Sequence, residues 1–226
     1  MKTVGVLGGM GPEATILLMQ KVIAAVPAQD DADHIPLIVH QNPQVPSRIK
    51  ALIEGTGADP MPVLMSMSQD LERAGAQALA MPCNTAHHYA LAVTHATSLP
   101  FLNMLVLTAD HLAAKGAKKV GMLASPATRL TGVFDAVFHD RGLTPVWLKD
   151  DAPLLDIIRA VKAGESLDPL APRLHACAEA LVTQGADHLL VACTELSLLT
   201  HALPESTPWT DSLDCLTSAI VAFSKG

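Results

Sequence analysis

The stretch GAQALAMPCNTAHH (75–88) decides the fold, because the pattern of its first nine residues returns in GADHLLVAC (185–193). Both copies open on Gly-Ala, carry Leu at the fifth place and end on a cysteine, Cys83 or Cys193. Upstream, VGVL at 4–7 is echoed by VGML at 120–123, a comparable distance ahead of each cysteine. Repetition on this scale predicts a duplicated structural unit.

Short apolar runs alternate with longer segments of helical spacing along the whole chain. This is the pattern of β-α units around a parallel sheet. Strands are expected at 3–7, 35–39, 77–81, 119–123, 144–147 and 187–191, and helices at 13–26, 61–74, 126–140, 153–163, 170–184 and 211–224. In open α/β sheets ligands bind beyond the carboxyl ends of strands, which is where both cysteines fall.

Composition narrows the function classes. Half of the 226 residues are hydrophobic but only 3% are aromatic, so the core must be aliphatic. No run reaches the roughly 18 apolar residues of a membrane span. The start MKTVGVLGG lacks a signal peptide's apolar region and cleavage site, and a cytoplasmic protein is expected. A net charge of −7 without a basic cluster argues against nucleic acid as a partner. The four cysteines have no CxxC spacing, so neither a zinc ribbon nor a thioredoxin motif is indicated.

Cys177 and Cys215 lie inside apolar helical patterns and read as buried structural thiols. Cys83 and Cys193 differ, because each is followed by polar residues, Asn84-Thr85 and Thr194-Glu195, where a strand should turn into a helix. A helix N-terminus there would lower the thiol pKa towards neutrality. Two such thiols across a cleft could run a two-base reaction, one removing a proton and the other returning one to the opposite face. A nucleophilic cysteine enzyme and two structural cysteines are the competing readings.

LGGMGPEAT (7–15) is either an anion-binding loop or a tight βα turn that needs its glycines; GxGxxG and the P-loop pattern are both absent. Arg48, at the end of the proline-stiffened NPQVPSR (42–48), could hold a carboxylate bidentately or simply be solvated. Lys162 in VKAG carries the same ambiguity. Cys83, His87 and His88 suggest a metal at first sight, but a helix would put His88 on another face and no second ligand pair follows. No metal site is expected.

GVLGGMGPEAT, NPQVPSR, MPCNTAHH, VKAG and CTELSLL together resemble the aspartate/glutamate racemase family, the amino-acid racemases that work without pyridoxal phosphate. The resemblance implies two similar parallel-sheet α/β domains related by pseudo-symmetry, with the active site in the cleft between them. On this chain residues 1–100 plus 208–226 would form the domain of Cys83, and residues 101–207 that of Cys193. It further implies Cys83 and Cys193 as the acid/base pair, and Met10, Arg48, Asn84, Thr85, Thr128, Lys162 and Thr194 as substrate-binding residues. Glu195 would be an auxiliary group, no cofactor would be needed and the protein would be a homodimer.

Met10 in GGMG and Glu195 after Cys193-Thr194 fit the aspartate branch, where glutamate racemases carry an acidic residue and a histidine. The segment LASPATRLTGVF (123–134) departs from the family's usual LATxGTxxSGxY, at Ala127, Thr131 and Phe134, which bears on substrate range. An aspartate racemase, L to D, is the expectation. A glutamate or broad-specificity racemase, an isomerase or decarboxylase acting on maleate, hydantoins or arylmalonates, and a non-catalytic amino-acid-binding protein are its rivals.

Overall fold

The computed structural model describes all residues, 1–226. Its eight strands are β1 (Val4–Gly8), β2 (Leu37–Gln41), β3 (Ala78–Ala80), β4 (Phe101–Leu102), β5 (Lys119–Ala124), β6 (Thr144–Val146), β7 (His188–Ala192) and β8 (Trp209–Asp211). The α-helices are α1 (Pro12–Ala24), α2 (Arg48–Leu52), α3 (Met61–Arg73), α4 (Ala90–Ala96), α5 (Met104–Ala114), α6 (Pro126–Leu130), α7 (Asp135–His139), α8 (Ala152–Lys162), α9 (Ala171–Thr183) and α10 (Ser212–Lys225).

The strands form two four-stranded sheets, ordered β2-β1-β3-β4 and β6-β5-β7-β8, and every pairing is parallel. The two orders are identical once β5 is matched to β1, so the repeat read in the sequence is a repeat of topology. Central strands β1 and β7 are buried along their whole length, as expected of a parallel sheet covered on both faces. One face of the first sheet packs against α3 and α4, around Leu64, Leu71 and Val93. The other packs against α1 and α10, around Leu18, Leu216 and Ile220. The second sheet is covered by α8 and α9 on one side and by α5 and α7 on the other.

The two units exchange helices. α5 follows β4 of the first sheet but buries Leu105, Ala109 and Leu112 against β5 and β7 of the second. α10 follows β8 of the second sheet but buries Leu213, Leu216 and Ile220 against the first. Each expected domain boundary separates a short edge strand from the sheet it joins. Residues 101–102 pair with β3 and belong to the first sheet, and residues 209–211 pair with β7 and belong to the second.

Three local expectations also change. The helix expected over 126–140 is two short helices, broken where Gly132 takes φ +59°, a left-handed conformation that glycine adopts without strain. Short 3₁₀ helices, not α-helices, follow both cysteines, at Thr85–Tyr89 and Leu196–Ala202. α5 lay outside the expected helices because MLVLTADHLAA is apolar nearly all round; its start is set by Asn103, whose side chain accepts from the N–H groups of Leu105 and Val106. No helix is long and apolar enough to cross a membrane.

Candidate functional site

In each sheet the chain reverses its direction of travel between the two central strands, β1 and β3 or β5 and β7. The crevice beyond their carboxyl ends is the binding position of such folds. In the first unit it receives the loop after β1 and the segment Met81–Thr85 after β3. In the second it receives Ser125 after β5 and Cys193–Glu195 after β7. The two crevices merge into one cleft of about 530 Å³.

Hydrogen bonds sew the units together at this point. Thr85 Oγ1 lies 3.1 Å from Ser125 Oγ and 2.9 Å from Thr128 Oγ1, and Thr194 Oγ1 donates to the Pro82 carbonyl at 3.3 Å. Asn84 Nδ2 donates to Ser212 Oγ at 2.9 Å.

The glycine loop is a tight turn. Gly9 has φ +91°, and a Cβ there would run into the backbone of Asn42. A Cβ on Gly8 would fall 2.6 Å from Thr15 Cγ2, whose hydroxyl accepts from the Gly9 N–H. The turn brings Met10 and Gly11 to the cleft wall.

Both cysteines line the cleft and both are nearly buried, Cys83 at 9% and Cys193 at 8% exposure. With them are Met10, Arg48, Asn84, Thr85, Lys162, Thr194 and Glu195. Thr128 stands behind Thr85 and reaches the cleft only through the three-hydroxyl cluster. Glu13, Ser125, Ile158 and Lys50 also line it and carried no sequence signal.

The electrostatics differ from the expectation at Cys193. Its Sγ donates to Glu195 Oε2 at 3.0 Å. Burial, reinforced by the Glu195 carboxylate, pushes this thiol well above its ordinary pKa instead of lowering it. The 3₁₀ segment that follows has too few aligned peptides to offset either effect. Lys162 is not a free cation, because Glu195 Oε1 holds its ammonium group in an ion pair. Burial opposes the Lys162 charge, but that carboxylate outweighs it and raises the ammonium pKa.

Arg48 begins α2, capped by Ser47, and its Nη1 donates to the carbonyls of Val45 at 3.3 Å and Pro46 at 2.9 Å. Its Nε is buried without a partner. The loop therefore fixes one end of the guanidinium and leaves another part unsatisfied at the cleft.

His87 is held on both ring nitrogens. Nδ1 donates to the Cys83 carbonyl at 2.8 Å, and Nε2 accepts from the Met104 N–H at 3.1 Å. Burial depresses its pKa to about 4, so the ring is neutral and ties the Cys83 backbone to the start of α5. His88 packs edge-on against Tyr89.

Two α/β units of the same topology, with a cysteine past the third strand of each and one cleft between them, define the class as a racemase fold of the duplicated α/β type. Residues 7–220 match the Asp/Glu/Hydantoin racemase family. The chain belongs to that family, as an amino-acid racemase. It is 26% identical over 234 residues to the broad-specificity amino-acid racemase of Bacillus subtilis, across 97% of this chain and 96% of that one. Its structure is similar to aspartate racemase from Picrophilus torridus, with a TM-score of 0.86 and 28% identity over 100% of this chain and 95% of the other. An aspartate racemase homologue from Pyrococcus horikoshii shares the fold, with a TM-score of 0.77 and 21% identity over 100% of both chains.

Proposed function

We propose that the protein interconverts L- and D-aspartate by a two-base mechanism on Cys83 and Cys193. The observation that carries this reading is the placement of the two sulfurs at matching strand ends on one cleft, beside an Arg48 whose Nε lacks a partner. The Cys83 thiolate takes the α-proton, and the electron pair of the broken C–H bond moves into the α-carboxylate. The Cys193 thiol then returns a proton to the opposite face. Cys83 ends as the thiol and Cys193 as the thiolate, whose charge Lys162, shared with Glu195, only partly offsets. Polar groups fixed in a largely buried cleft stabilise the developing enediolate without having to reorganise. This mechanism calls on no cofactor.

One observation favours a wider substrate range as a second reading. Glu195 already neutralises Lys162, so a side-chain carboxylate must displace Glu195 or rely on Arg48. Neutral amino acids need neither. The aspartate racemase of Picrophilus torridus supports the first reading and the broad-specificity racemase of Bacillus subtilis the second. A cytoplasmic location and a homodimer belong to the same proposal; sedimentation at micromolar concentration tests the dimer.

Incubation with L-aspartate in deuterated water tests the function. α-Deuterium should enter as optical activity decays to zero. Exchange with alanine and other neutral amino acids as fast as with aspartate, or faster, establishes the second reading, and no exchange with any proteinogenic amino acid at high enzyme concentration rejects both.

A further inference from the structure

We propose that Ser212 is a positioning residue that makes the cleft wall beside Cys83 a hydrogen-bond acceptor for the substrate's α-ammonium group. The inference deepens the proposed function and rests on it. Ser212 opens α10, is fully buried and is not among the residues lining the cleft. Its hydroxyl carries one proton. That proton goes to the Val191 carbonyl, 3.0 Å away, and a carbonyl can only accept.

Ser212 Oγ then has only lone pairs to offer Asn84, so Asn84 must turn its NH₂ towards it, and Nδ2 donates at 2.9 Å. With the amide reversed, Oδ1 would meet those lone pairs, or the serine would have to abandon Val191; either way one of the two bonds is lost. The sense of the amide is thus set from behind. Asn84 Oδ1 is left on a cleft-lining residue, buried and without a partner.

Thr194 repeats the arrangement after the second cysteine. Its hydroxyl proton goes to the Pro82 carbonyl at 3.3 Å, so it too has only lone pairs left to present. An acceptor therefore directly follows each sulfur. Buried acceptors are costly unless a donor meets them, and an ammonium group has three donors and no acceptor. A carboxylate in the same place would set oxygen against oxygen. The wall fits α-amino acids and disfavours diacids that lack the amino group.

Calorimetric titration of the parent protein and Ser212→Ala with three pairs tests this: L-aspartate and succinate, L-glutamate and glutarate, L-alanine and propionate. In the parent, the amino acid of each binding pair should bind more tightly than its amino-free partner. In Ser212→Ala that preference should fall by about tenfold, as expected when one hydrogen bond is lost. The parent also gives a readout that needs no variant: in the ligand-free protein an Asn84 side-chain N–H should exchange slowly with solvent by ¹⁵N NMR. An undiminished preference in a folded Ser212→Ala, amino-free acids binding as well as amino acids in the parent, or fast exchange of both Asn84 side-chain protons overturns the proposal. Each can occur while deuterium exchange still supports racemisation, so the two readings fail separately.

Discussion

The Cys193 thiol donates to Glu195 Oε2 at 3.0 Å while Lys162 holds the other oxygen of the same carboxylate. Burial and the Glu195 charge together keep the proton on Cys193, against the weaker pull of Lys162, which suits it to be the acid of the proposed mechanism.

Replacing Glu195 with Gln removes the carboxylate and frees Lys162, so the Cys193 pKa should fall. Alkylation of Cys193 by iodoacetamide at pH 8, followed by peptide mass spectrometry, is expected to rise severalfold relative to Cys83. The alkaline limb of kcat/KM should move to lower pH by the same amount for both enantiomers, because racemisation has an equilibrium constant of one at every pH. An unchanged labelling ratio rules out this role for Glu195.

Cys83→Ser and Cys193→Ser should each lower racemisation by about a hundredfold to ten-thousandfold, since loss of a positioned acid/base group costs two to four orders of magnitude. Each variant keeps one thiol, and that thiol can remove and return a proton on its own face. Deuterium exchange without inversion should therefore persist for one enantiomer in the first variant and for the other enantiomer in the second. Loss of both exchanges in each variant, with the fold intact, would contradict two independent bases.

Arg48→Ala should separate the two carboxylates of an acidic substrate. If the guanidinium holds the side-chain carboxylate, KM for aspartate rises by about tenfold or more while alanine is little affected, because a charge-assisted hydrogen bond contributes about 1.5–3 kcal/mol. Equal losses on both amino acids would place the α-carboxylate there instead.

Much of the frame is legible in the repeated Gly-Ala…Cys segment, because a duplicated strand end brings both cysteines to one cleft. The pairing of Lys162 with Glu195 is not legible in the same way. The two residues are far apart in sequence, and their meeting depends on how the end of α8 packs beside the turn after β7 at the cleft wall. The thiol shift at Cys193 follows from that meeting and from burial, neither of which residue spacing encodes. Ser212 sits within an ordinary helical pattern, and its importance comes from two partners, Asn84 and Val191, distant in the chain. The edge strands β4 and β8 are illegible for a related reason: they are only two and three residues long and are fixed by pairing with β3 and β7.

Two buried groups should oppose each other in the protein's response to acid. His87 is depressed from 6.5 to about 4 by burial, partly countered by its bond to Cys83. Its contribution to stability is present above pH 6.5 and lost as the pH falls through about 4. Asp211 is raised from 3.8 to about 6, chiefly by burial, with the Leu213 N–H, Lys21 and Ser197 pulling the other way and Asp214 adding to the rise. Its contribution is present below pH 3.8 and lost as the pH rises through about 6. Each displacement of roughly two units corresponds to about 3 kcal/mol, of opposite sign over nearly the same window. Asp211→Asn should unmask the histidine, giving a Tm that climbs steeply from pH 4 to 6.5. His87→Gln should unmask the aspartate, giving a Tm that falls from pH 4 to 6, while the parent varies less than either. Thermal denaturation of the three proteins across that range checks this, and parallel curves would show that neither group titrates with the shift assigned to it.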